Sequence, residues 1–87
     1  MVSQKVIVKN PSGLHARPAV VFSKVAAGCT SNVIIHYKNK QINPKSVLMI
    51  MAAAIASGAE IEIECTGENE EHDLQILVAA VESGLGE

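Results

Sequence analysis

The strictest pattern in the chain is Glu60-Ile61-Glu62-Ile63-Glu64-Cys65-Thr66, where apolar and polar residues alternate with period two. Successive side chains of a strand point to opposite faces, so this segment reads as a strand with Ile61, Ile63 and Cys65 on a dry face and three glutamates on a wet one. A sheet with one wet face carries its helices on the other, which makes a sheet sandwiched between helical layers a poor fit. Lys5-Val6-Ile7-Val8-Lys9 also has strand composition, and the turn-forming Asn10-Pro11-Ser12-Gly13 closes it. Asn32 to Tyr37 is rich in valine and isoleucine, Lys38-Asn39-Lys40 resembles a hairpin turn, and Gln41-Ile42-Asn43 reads as a short return strand before Pro44.

Between these strands the period changes to that of a helix. From Ala16 to about Ala27 the positions Val20, Val21, Phe22 and Val25 suit a helix, with Pro18 tolerated in the first turn and Gly28 just past the end. Val47-Leu48-Met49-Ile50-Met51 would pass for a strand by composition. The following Ala52-Ala53-Ala54 favours a short helix, with Ser46 at its N-cap. After Gly67, Asn69 is placed to cap a last helix with acidic Glu70, Glu71 and Asp73 in its first turn and Leu74, Leu77, Val78 and Val81 at helical spacing. Gly84-Leu85-Gly86-Glu87 ends it. The predicted order is βαββαβα: an α+β open-faced β-sandwich with a four-stranded antiparallel sheet and three helices on one face, a single domain over residues 1–87.

Composition narrows the function. A chain of 87 residues has one core, and its only aromatic residues are Phe22 and Tyr37. The core is therefore aliphatic, and modules that stack nucleic-acid bases on exposed rings are disfavoured, so no direct nucleic-acid partner is expected. The start of the chain lacks the apolar segment of a secretory signal, which points to the cytoplasm. The longest apolar run, Val47 to Ala56, is about half the ~20 residues of a membrane-spanning helix, so no membrane insertion is expected. Cys29 and Cys65 are too few for a disulfide framework and read as free thiols. The three histidines and two cysteines show no metal-ligand spacing, so neither a metal nor another cofactor is expected.

The net charge of −2 conceals an asymmetry: all seven Lys and Arg lie between Lys5 and Lys45, and all nine Asp and Glu between Glu60 and Glu87. Either the fold interleaves the halves so that charges pair across elements, or Arg17, Lys24, Lys40 and Lys45 form a basic rim that attracts acidic proteins.

The candidate chemistry lies at His15, between a Gly-containing turn and a helix with proline in its first turn. Backbone N–H groups at a helix start lack intrahelical acceptors and favour anions. The amides of Ala16 and Arg17 and the Arg17 guanidinium are placed to neutralise a phosphoryl group on the ring. Imidazole suits the task, since its neutral nitrogen is a good nucleophile and the phosphorus–nitrogen bond gives the group up again. His36 and His72 have no comparable neighbours. Ser46 is the second candidate: phosphate at an N-cap adds about −1.5 to −2 charges where a helix tolerates them. Beside it, Val47, Leu48 and Met51, with Lys24 and Lys45, form a candidate docking patch. Leu48 or Ile50 is expected to face inward, and Val47 and Met51 outward.

Gly13-Leu14-His15-Ala16-Arg17-Pro18-Ala19 resembles the active-centre motif of HPr, the histidine-containing phosphocarrier family of the bacterial sugar phosphotransferase system. The resemblance extends over essentially the whole chain, including Lys45-Ser46, Gly58-Ala59-Glu60 and the Gly-Leu-Gly-Glu ending, which is similar to the Gram-positive branch. It implies that His15 accepts phosphate from phosphorylated enzyme I and donates it to IIA domains of sugar permeases, with Arg17 assisting. It also implies, for Gram-positive relatives, phosphorylation of Ser46 from ATP by a dedicated serine kinase/phosphorylase, and corepression with a catabolite-control repressor. One departure is Met49, where the family often has glycine. A paralogue class keeps the fold without the active histidine, and His15 argues against it. The family resemblance predicts a monomeric carrier with no turnover of its own. The competing readings are a regulatory binding module acting through phosphorylated Ser46 and a small acylphosphatase-like hydrolase. The latter is weakened by the lack of a second acid or base at catalytic spacing from His15.

Overall fold

The alternating segment forms strand β4 (Glu60–Thr66), and its three dry-face residues Ile61, Ile63 and Cys65 are all buried. In the computed structural model, which describes residues 1–86, β4 lies inside a four-stranded antiparallel sheet. On one side it pairs with β1 (Val2–Ile7), and on the other with β2 (Asn32–Tyr37), whose far edge carries β3 (Lys40–Ile42). The register sets Val6 opposite Ile61 and Ile35 opposite both Ile63 and Ile42, so one face presents a continuous aliphatic row. Helices α1 (Ala16–Ala27), α2 (Val47–Ala52) and α3 (Glu70–Glu82) cover that face. The wet face carries Lys5 opposite Glu62, which in turn lies opposite His36.

Each helix buries the stripe its sequence dictates. In α1 Ala19, Phe22, Ser23 and Ala26 are buried, and in α3 Leu74, Leu77, Val78 and Val81. Phe22 is fully enclosed, and burying a side chain of that kind is worth about 1.5–3 kcal/mol. Ile50 alone is buried among the six residues of α2.

A polar knot joins α3 to the loop between α1 and β2. The buried carboxylate of Asp73 accepts from the Ser31 amide at 3.0 Å and from the Ser31 hydroxyl at 2.5 Å. These bonds, the hydroxyl's first, hold the Asp73 carboxyl below the usual carboxylate range. Both thiols are free and buried. Burial first, then the nearby Asp73 charge, pushes Cys29 up; burial, then Cys29, pushes Cys65 up to about 11. Thiols so placed are weak nucleophiles.

Three expectations are corrected. Strand β1 begins at Val2 and leaves the ladder after Ile7, because pairing with β4 and not local composition sets its length. The side chain of Asn69 does not cap α3; its amide donates to the Thr30 hydroxyl, and the Glu70 carboxylate accepts from the Gly67 amide instead. The two halves of the chain do not neutralise each other through lysine and arginine. Among the described residues the ion pairs are the Met1 ammonium with Glu70 and His36 with Glu64, while Lys5 lies opposite Glu62 across the sheet without a direct ion pair.

Candidate functional site

The turn before His15 is locked by two other segments. Gly13 donates to the Asn10 carbonyl at 2.9 Å, and Leu14 donates to the Ile55 carbonyl at 3.0 Å. Leu14 and Ile55 are both buried, and the Asn10 side-chain amide donates to the Gly84 carbonyl at 2.6 Å. Gly13 adopts φ +72°, and any Cβ there would overlap the Ile55 carbonyl oxygen, so glycine is required twice over. Leu14 thus anchors the loop in the core while the next residue, His15, stays exposed.

His15 is the N-cap of α1 in extended conformation (φ −118°, ψ 158°), and its side chain makes no capping bond. Its ring is free for chemistry while its carbonyl starts the helix, accepting from Ala19 at a long 3.5 Å. Ala16 follows at φ +36°, a left-handed conformation that costs a non-glycine residue about 1–2 kcal/mol. Pro18 removes one donor from the first turn. The remaining amides, of Ala16 and Arg17, have no acceptor among the described residues, and the exposed Arg17 guanidinium makes no hydrogen bond or ion pair there. Two amides without an acceptor, one unpaired guanidinium and an imidazole that makes no capping bond are thus gathered in three consecutive residues.

Ser46 is the N-cap of α2, and its hydroxyl accepts from the Met49 amide at 3.2 Å. The buried Ser23 hydroxyl on α1 donates to the Lys45 carbonyl at 3.1 Å, which ties the start of α2 to α1. Leu48 faces outward at 80% exposure, whereas Val47 and Met51, expected outside, are half-buried against the core. Ile50 takes the single inward position that a one-and-a-half-turn helix offers. Lys24 is exposed, but the Lys45 ammonium is engaged within the fold, donating to the carbonyls of Ser31 at 3.1 Å and Cys29 at 3.4 Å. Lys45 therefore braces the α1–β2 loop while remaining exposed. Val20 was not among the expected docking residues, yet it is 38% exposed on the stripe of Ala16 and Lys24. Its i, i+4 spacing from Ala16 was the available signal. No cluster of three or more His, Cys, Asp or Glu among the described residues is arranged to hold a metal ion.

With this geometry in view, comparison with known proteins is decisive. The profile "PTS HPr component phosphorylation site" matches residues 2–83. The chain belongs to the HPr family. It is 39% identical to the HPr-like protein Crh of Bacillus subtilis over 94% of this chain and 96% of that protein. It is also 39% identical to the phosphocarrier protein HPr of Mycoplasma capricolum, over 88% of this chain and 86% of the other. The crystal structure of an HPr from Thermoanaerobacter tengcongensis superposes with a TM-score of 0.94 at 34% identity, covering 100% of this chain and 98% of that one. HPr proteins pass phosphate between components of the phosphotransferase system and have no turnover of their own. The βαββαβα open-faced sandwich expected from the resemblance is the fold observed. No helix among the described residues is long and apolar enough to cross a membrane.

Proposed function

We propose that the chain carries a phosphoryl group on His15, accepting it from phosphorylated enzyme I and donating it to IIA domains of sugar permeases. The observation that carries this reading is the exposed His15 ring at the start of α1 beside the unengaged amides of Ala16 and Arg17. A neutral ring nitrogen attacks phosphorus, the new P–N bond forms as the donor's bond to phosphorus breaks, and the same steps run in reverse at the acceptor. The Ala16 and Arg17 amides and the Arg17 guanidinium hold the dianion between the two steps. Identity to the HPr-like protein and to the phosphocarrier is equal, so the distinction between carrier and purely regulatory module falls on His15.

Ser46 is the site of regulation in this reading. A phosphate there sits at a helix start, is well tolerated by the fold, and acts on partners through the adjoining patch of Leu48, Val47, Met51, Val20 and Lys24. The test is mass spectrometry after incubation with enzyme I and phosphoenolpyruvate. The expected result is one acid-labile phosphate on the native chain and none on His15→Ala; equal labelling of both removes the proposal.

A further inference from the structure

Strand β3 is at the free edge of the sheet and pairs only with β2. In a hairpin closed by two residues, the flanking pair Tyr37 and Lys40 exchanges its backbone hydrogen bonds, and the next pair, His36 and Gln41, does not. The N–H and C=O of Gln41 therefore point outward, away from β2, and neither has a backbone partner among the described residues. Such a pair is a ready acceptor for another extended chain.

Beside this edge runs a mainly apolar groove between β3 and α2. Ile42 and Ala53 form its floor, Met49 and Ala52 its helical wall, and Lys40 and Gln41 its rim. Met49 is 44% exposed. A methionine wall adapts to different apolar side chains. No acidic residue lines the groove, and the exposed Lys40, whose ammonium reaches the Ala53 carbonyl at 3.4 Å, puts a cation at its mouth. All nine acidic residues of the chain lie elsewhere, from Glu60 onward.

We propose that this groove docks an extended acidic segment of a partner protein by strand addition to β3. The segment's backbone pairs with Gln41, one apolar side chain lies over Met49 and Ile42, and a carboxylate meets Lys40. Charge complementarity selects an acidic partner over a second copy of this chain, whose own β3 would bring a second lysine and no carboxylate to the edge. The proposal does not depend on phosphate transfer at His15.

The test uses the full chain labelled with 15N and a soluble acetylated extended peptide in which a glutamate and an isoleucine stand two residues apart, so that both fall on the groove face. The expected result is chemical-shift change confined to Gln41, Ile42, Met49 and Ala52, with slowed hydrogen exchange at the Gln41 amide. Lys40→Glu, an exposed hairpin position, weakens binding at least tenfold, and the same peptide with lysine in place of glutamate does not bind. Gln41→Pro deletes the outward N–H without touching a bond to β2 and weakens binding similarly; Lys40→Glu keeps the test valid if that variant fails to fold. Absence of shifts, shifts centred on Leu48 and Val20, shifts along β1, or concentration-dependent shifts at Gln41 without peptide would each overturn the proposal.

Discussion

Gly13→Ala separates two physical demands on the loop that presents His15. The left-handed backbone at φ +72° costs an alanine about 1–2 kcal/mol. The new methyl group also collides with the Ile55 carbonyl oxygen, which is backbone and cannot rotate aside. Relief requires residues 13–14 to move away from residues 55–56. That movement breaks the 3.0 Å bond from Leu14 to Ile55, a loss of roughly 1 kcal/mol, and loosens the buried Leu14. The sum is roughly 2–4 kcal/mol, or a fall in Tm of roughly 10–25 °C for a domain of this size. Gly58→Ala is the internal control, since Gly58 has φ +82° but nothing within 4 Å of its would-be Cβ. That variant meets the backbone cost alone, about 1–2 kcal/mol. Urea unfolding of both variants isolates the collision, and phosphorylation by enzyme I at a temperature where both are folded should be impaired only in Gly13→Ala. Equal stability of the two variants, within about 0.5 kcal/mol, would refute the claim that Ile55 packs against the loop.

Further outcomes follow from the same geometry. Ser46→Ala removes the bond from the Met49 amide and should cost about 1 kcal/mol in urea unfolding, whereas Ser46→Asp keeps a capping oxygen, leaves stability nearly unchanged and slows phosphate transfer from enzyme I. Arg17→Ala touches no internal bond, so its melting curve should match the native one while the rate of phosphate acceptance falls about tenfold, the equivalent of one charge-assisted contact. Asp73 has a lowered pKa in the fold, so its contribution to stability is complete above the unfolded value near ~4 and is lost as pH falls through the folded value. The stability difference between the native chain and Asp73→Asn, followed by unfolding at stepped pH, should therefore be largest near neutrality and shrink in acid.

What the sequence made legible divides along physical lines. Strand β4 and helix α1 came out with their observed bounds because a strict period of two and a Pro-to-Gly bracketed apolar stripe are local signals. Strand β1 did not, because Val2-Ser3-Gln4 carries no such pattern and is a strand only through its pairing with Cys65, Glu64 and Ile63. Asn69 looked like a cap, but Thr30, remote in sequence, takes its amide. The second role of Lys45 was not legible, because the Cys29 and Ser31 carbonyls that its ammonium bridges are remote in sequence. The left-handed Ala16 has no sequence signal, since alanine ordinarily avoids that region; a residue held there beside His15 is set by its surroundings. The exposure of Leu48 follows from the shortness of α2, which leaves room for one inward residue, Ile50.

The most direct measurement is the 1H–15N spectrum of the chain before and after phosphorylation by enzyme I, with phosphorus coupling recorded across hydrogen bonds. The account predicts that the amides of Ala16 and Arg17 shift downfield more than any others and that at least one couples to the phosphorus on His15. Phosphorylation that leaves both amides unmoved, or that shifts the amides around Ser46 instead, would contradict it.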